Sequence, residues 1–146
     1  MDGPVSQSPH ELVNPPELAP PAGYSHAVVA GPGRTIYLGG QAGHGPDGNL
    51  RGETMAEQFA AACDSLVIAL AAAGGRPEHL VSVQIFVTDA EVYRANLGLI
   101  GEAWRRHVGK HYPALGLFEV RELFDPDARV ELMGVAVVPA EDPASG

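Results

Sequence analysis

Residues 129–138 read RVELMGVAVV. Alternate residues of a strand point to opposite faces of a sheet. Val130, Leu132, Ala136 and Val138 stand on one parity, and Met133, Val135 and Val137 on the other. Both faces are apolar, so this strand belongs in the centre of a sheet or in an interface. The one acid inside it is Glu131.

Working back from this strand, residues 124–128, FDPDA, form a turn rich in Asp and Pro. Residues 114–123, ALGLFEVREL, read as a strand, set off by Pro113 from a helix over residues 90–107. In that helix Val92, Asn96, Ile100 and Trp104 lie on adjacent turns. Residues 79–89, HLVSVQIFVTD, alternate, which places Val81, Val83, Ile85 and Val87 on one face of a half-buried strand. The run 53–73 is a helix with Met55, Phe59, Ala62, Cys63, Leu66, Val67 and Leu70 at three- and four-residue steps. Thr54 is placed to cap it and Gly74-Gly75 to end it.

Before that helix, AGHGPDGNL at 42–50 is a Gly-rich loop. Residues 24–41, YSHAVVAGPGRTIYLGGQ, contain two β-rich runs around Gly31-Pro32-Gly33-Arg34, which reads as a hairpin. Residues 1–22 form an extended Pro-rich arm, in which HELV at 10–13 suits a short edge strand. Residues 23–139 make a single domain and 140–146 a polar tail. The order ββ-α-β-α-ββ predicts an α+β fold: one mixed β-sheet with two helices packed on one face. A layer of this size leaves the second sheet face bare, so oligomerisation is expected to bury it.

Composition limits the partners. The net charge is −9 and the pI near 4.9, so the surface repels phosphate backbones and nucleic acid is not expected as a partner. Residues 104–111, WRRHVGKH, read as a basic helix end complementing the dipole. Cys63 is the sole cysteine, which fits a reducing, cytoplasmic setting, and its place on a helix face suits a buried thiol. No signal-peptide pattern opens the chain. The longest apolar stretch is read as well short of a membrane span, so no membrane is expected.

Six stretches in order then resemble the Rid/YjgF family, the reactive-intermediate imine deaminases. AGYSHAVVAG resembles the family's Gly-Pro-Tyr-Ser-Gln-Ala opening, and IYLGGQ its Ser-Gly-Gln strand end. EQFAAACDSLVIALAAAGG resembles the first helix, and VSVQIFVTDAEVYRAN the strand, aspartate and following helix. YPALGLFEVREL and VELMGVAV resemble the last two strands. The resemblance spans roughly residues 25–138. It implies a chorismate-mutase-like sheet, a homotrimer, and inter-subunit clefts that bind small carboxylic acids. It also implies hydrolysis of enamines and imines to a carbonyl compound and ammonia.

The same resemblance carries residues over one by one. Pro113 and Ala114 match the Pro-Ala that precedes the family's carboxylate-binding arginine, but the arginine position holds Leu115. Gly116 and Leu117 follow it. Glu131 occupies the position of the glutamate that holds the attacking water, Tyr24 that of the tyrosine, and Asn96 that of the asparagine. Glu131 and Tyr24 are thus the candidate catalytic pair. Leu115, Gly116, Leu117, Gln41, His26 and Asn96 are candidates to line the cleft.

Leu115 changes the expected chemistry. A planar guanidinium makes two parallel, charge-assisted hydrogen bonds to a carboxylate, and leucine makes none. Arg121 shares the parity of Leu115, but six strand residues span ~20 Å. Three readings stay open: a hydrolase whose substrate is neutral or anchored elsewhere; a biosynthetic enzyme acting on a larger apolar intermediate; and a non-catalytic ligand-binding or regulatory trimer. Each candidate also has a plain structural reading: an ion pair for Glu131, packing for Tyr24, solvent exposure for His26 and local capping for Asn96.

His107 and His111 have helical metal spacing without a third ligand, so no metal is expected. The Gly-rich loop lacks the Gly-Lys-Ser/Thr of a phosphate-binding loop, and no cofactor is expected.

Overall fold

In the computed structural model, which describes residues 8–140, the chain begins its longest helix at a capping box. Thr54 accepts a hydrogen bond from the Glu57 backbone N–H at 3.1 Å, and the Glu57 carboxylate accepts one from the Thr54 N–H at 3.1 Å. The Glu53 backbone N–H, which donates to the same carboxylate at 3.1 Å, and then the Thr54 bonds hold the Glu57 carboxyl below its usual value. Helix α1, Met55–Ala72, buries Met55, Phe59, Ala62, Cys63, Leu66 and Leu70. It ends where Gly74, at φ +94°, reverses the chain and the Gly75 N–H reaches the Leu70 carbonyl at 2.9 Å. Burial pushes the Cys63 thiol far up, so it behaves as a packed apolar group.

The strands are β1 Glu11–Val13, β2 Ala27–Val29, β3 Gly33–Gln41, β4 Leu80–Val87, β5 Ala114–Glu119 and β6 Val130–Pro139. Four form a mixed sheet in the order β3-β6-β4-β5, with β6 antiparallel to both neighbours and β4 parallel to β5. The two-faced strand is therefore central. Val130, Leu132 and Ala136 are buried on the face that packs against α1. The opposite face carries Tyr37, 81% exposed, with Phe118 and Met133.

Four local expectations are corrected. Strands β2 and β3 do not form a hairpin: β2 pairs with β1 in a separate two-stranded sheet, and β3 pairs with β6. On β4 a register shift between Leu80 and Ser82 puts Leu80 in the core and leaves Val81 half-buried, while Val83, Ile85 and Val87 point inward as expected. The second helix is two: α2, Ala90–Ala95, and α3, Leu97–His107. The break comes at Asn96, whose side-chain amide donates to the Val92 carbonyl at 2.8 Å. Strand β5 stops at Glu119, so Arg121 lies beyond it and has no strand face to share with Leu115.

Helix α1 also corrects the reading of the apolar stretch. At 18 residues and mean hydropathy 1.4 it is long and apolar enough, by length and composition, to cross a membrane. Its buried stripe instead packs on β3 and β6 as the core helix. The described part of the Pro-rich arm is held by His10, which accepts from the Gly31 N–H at 3.1 Å and donates to the Val137 carbonyl at 2.8 Å. Residues 1–7 of the arm and 141–146 of the tail lie outside the described residues.

Two further buried histidines make stability depend on pH. His111 donates from Nε2 to the Leu80 carbonyl at 2.7 Å, and His79 Nδ1 accepts from the Arg76 N–H at 3.0 Å. Burial, the main cause for both, lowers their pKa below the ordinary value, and the Arg76 charge lowers His79 further. The unfolded chain protonates these rings first, near pH ~6.5. The stability they contribute is full above that pH and is lost as pH falls through their lower folded values. Urea midpoints measured from pH 8 to 5 are expected to fall on the acid side. His111→Gln keeps a donor for Leu80 and is expected to show a shallower fall; an unchanged slope would contradict the assignment.

Candidate ligand-binding site

The edge of β5 and the segment beside it build the site. The Ser25 N–H donates to the Pro113 carbonyl at 3.0 Å, and its hydroxyl to the Tyr112 carbonyl at 2.7 Å. These bonds lay residues 24–26 along the start of β5, where Ser25 bridges Ala114. Tyr24 is thereby set beside Leu115 at one hollow of about 520 Å³, between β5 and helices α2 and α3. Its walls include Tyr93, Leu97, Trp104, Leu115 and Leu117. Leu115 and Leu117 pair in register with Val83 and Ile85, and so share their helix-facing side.

This volume is in the ordinary range for small-molecule pockets. The polar groups in its wall are few. The Trp104 indole N–H is already committed to the His111 carbonyl at 3.0 Å. Burial, with a smaller electrostatic effect from Cys63, pushes the Tyr93 phenol up to about 12, so it stays a proton-bearing donor.

Tyr24 and Leu115 also border a second hollow, of about 420 Å³, on the open side of the sheet, with His26, Gln84, Gly116 and Phe118. The Tyr24 and His26 rings meet edge to face at 5.2 Å. His26 donates from Nε2 to the Ala19 carbonyl at 2.7 Å, and its backbone N–H donates to the Asn14 side chain at 2.8 Å. At Gly116 a Cβ would approach the Phe118 ring to 2.9 Å, and that ring stacks on Phe86 at 5.7 Å.

Glu131 is elsewhere. It pairs with Phe86 on the open face and borders a third hollow, of about 580 Å³, with Gly40, Ala42, His44, Phe124 and Asp125. A Cβ at Gly40 would collide with its carboxylate. His44 Nε2 meets Asp125 Oδ2 at 2.8 Å, and this bond holds the Asp125 carboxyl below its usual value. Leu115 and Glu131 are on different faces of the sheet with β4 between them, so one chain does not bring the two candidate groups together.

The other candidates divide. Leu115, Gly116, Leu117 and His26 line hollows at β5. Gln41 sits past the β3 irregularity, its amide 3.5 Å from the Gly39 carbonyl, and borders neither the Leu115 nor the Glu131 hollow. The Asn96 amide is spent on Val92, and the next residue, Leu97, lines the hollow instead. His107 and His111 do not converge: one faces Asp64 at 3.8 Å and the other the Leu80 carbonyl.

Sequence reasoning missed Tyr93, Arg94, Leu97 and Gly101 as lining residues. The signal was present. With Ile100 and Trp104 they recur at three- and four-residue steps along one helical stripe, which reads as packing when no neighbour is known.

Comparison with known proteins agrees with this architecture. The family model described as Endoribonuclease L-PSP matches residues 15–138. The solved structure of the conserved Rid-family protein YyfB from Yersinia pestis, a protein of unknown function, is 27% identical, with a TM-score of 0.80 over 88% of this chain and 98% of that one. A member of the YjgF/YER057c/UK114 family from Mycobacterium tuberculosis is 31% identical, with a TM-score of 0.60 over 80% and 87%. RidA from the Antarctic bacterium Psychrobacter is 25% identical, with a TM-score of 0.63 over 82% and 92%. No curated protein matches.

Proposed function

The chain belongs to the Endoribonuclease L-PSP family, the Rid/YjgF/UK114 proteins, and from that premise we propose that it binds a small metabolite in clefts between the subunits of a cytoplasmic homotrimer. The observation that carries the reading is the hollow at the β5 edge, bordered by Tyr24 and Leu115 and roomy enough for a metabolite. Its separation from Glu131 within one chain supports a site completed by a second copy, with Tyr24 and Leu115 from one subunit and Glu131 from the next. The exposed Tyr37, Phe118 and Met133 on the open sheet face are a natural contact for that copy.

In this reading the chemistry is hydrolysis of an enamine or imine. Water adds to the imine carbon, the C–N bond breaks, and a carbonyl compound and ammonia leave. Glu131 takes one proton of the attacking water and passes it to the imine nitrogen, then takes the hydroxyl proton of the resulting carbinolamine and passes it to the same nitrogen as the C–N bond breaks, while Tyr24 donates a hydrogen bond to the substrate. Leucines at 97, 115 and 117 favour a substrate that is apolar, or anchored away from position 115. The same walls support a second reading, a non-catalytic ligand-binding or regulatory trimer, or an enzyme acting on a larger apolar intermediate. RNA cleavage is the less favoured activity because a chain of net charge −9 repels a phosphate backbone.

The test is imine hydrolysis with 2-imino acids generated in situ by an amino-acid oxidase and trapped by semicarbazide. Wild type is expected to be slow. Leu115→Arg is expected to gain roughly ten- to a hundredfold, the worth of a charge-assisted carboxylate contact, and Glu131→Ala in that background to lose the gain. A wild-type rate as high as that of Leu115→Arg would show that position 115 does not limit carboxylate binding. Activity that survives Glu131→Ala would remove Glu131 from the chemistry.

A further inference from the structure

We propose that Arg94 anchors the carboxylate of an apolar monocarboxylic acid whose hydrocarbon or aromatic body fills the Leu115 hollow, an assignment that rests on the hollow being the ligand site. Arg94 is the one charged residue among the described residues lining this hollow. It sits in the last turn of α2, exposed at the rim. Elsewhere in the described residues, Arg51, Arg76 and Arg106 are paired with Asp64, Glu78 and Glu102. Arg94 has no carboxylate partner among the described residues, so its fork of donors is available to a ligand. Among the described residues, none that lines the hollow is acidic. A carboxylate approaching this acidic protein thus finds a cation standing at the rim of an apolar hollow.

The rest of the wall sets the body of the ligand. Ile85, Leu97, Leu115 and Leu117 offer no hydrogen bonds, and an unpaired polar group placed against them is penalised. The Trp104 indole donor is occupied by His111, so the ring presents an apolar surface. The cation therefore stands on the rim while position 115 is apolar. The ligand is held head-out, with its carboxylate on α2 and its body against β5.

Trp104 is the sole tryptophan and lies in the wall, so its emission reports occupancy directly. The probes are 4-phenylbutyrate, its neutral amide 4-phenylbutyramide, and pyruvate, titrated into the full chain with excitation at the indole edge. The expected result is that phenylbutyrate binds about tenfold tighter than the amide, in line with one partly exposed charge-assisted contact. Pyruvate is expected to bind much more weakly, because it lacks the body. Arg94→Gln is expected to abolish the preference for the acid, and Arg94→Lys to retain part of it. Amide and acid binding alike, or a preference that persists in Arg94→Gln, overturns the Arg94 assignment while leaving the hollow as the site. If no probe alters Trp104 emission up to millimolar concentration, both the anchor and the site reading fall.

Discussion

Leu66→Ala is expected to lower the unfolding free energy by about 3–5 kcal/mol, the upper part of the range for truncating a fully enclosed leucine. Leu66 is 0% exposed at the middle of α1, within the cluster that joins the helix to the sheet. Three carbons, Cγ and its two methyls, are removed, and the dense surroundings relax only partly around the cavity. Ile68, two residues on and 59% exposed, is the internal control. Ile68→Ala is expected to cost less than about 1 kcal/mol. The comparison is made by urea denaturation at one fixed protein concentration, because any assembly would add mass-action stability. A loss below 1 kcal/mol at Leu66, or equal losses at both sites, would mean that α1 does not present this face to the sheet.

The second large effect lies in the loop that walls the Glu131 hollow. Gly43 has φ +94°, and a Cβ there would stand 2.7 Å from the Ala61 Cβ and 3.1 Å from the α1 backbone. Gly43→Ala therefore combines left-handed strain with a collision against a helix that has little room to yield, together about 2–4 kcal/mol. Arg51 ties the same loop to α1. It donates to the Gly43 carbonyl at 3.0 Å, the Ala61 carbonyl at 3.0 Å, Ser65 Oγ at 2.7 Å and Asp64 at 2.9 Å. Pushing Gly43 off the helix strains these bonds and displaces His44 from the hollow. Gly48→Ala is the matched control: its φ is +83°, but nothing lies within 4 Å of the added carbon. It is expected to cost only the backbone strain, about 1–2 kcal/mol. The difference in melting temperature between the two variants reads the helix collision alone, and no difference would remove it.

What could be read from the chain was what depends on near neighbours. The Thr54–Glu57 capping box and the Gly74 stop are local chemistry, so α1 was legible nearly to the residue. The hairpin was misread because a strand's partner is chosen by the whole sheet: β3 takes β6, nearly a hundred residues away, over β2, its neighbour in sequence. The break at Asn96 was missed because a side-chain bond to Val92 competes with the helix without disturbing its apolar spacing. Of the proposed site, the sequence marked Tyr24, Leu115 and Glu131 through resemblance, yet not that Glu131 stands at a different hollow from the other two.

By itself the sequence determined the α+β class, a helix read over 53–73 and found over 55–72, the two-faced apolar character of 130–138 and the family, because periodicity, caps and ordered motifs are properties of the chain. Only the tertiary structure decided which strands pair, that Leu115 and Glu131 lie on opposite faces of the sheet, and that Arg94 shares a wall with Leu115. Those relations join residues more than a dozen positions apart. They are set by the packing of whole elements against one another, which no local spacing encodes.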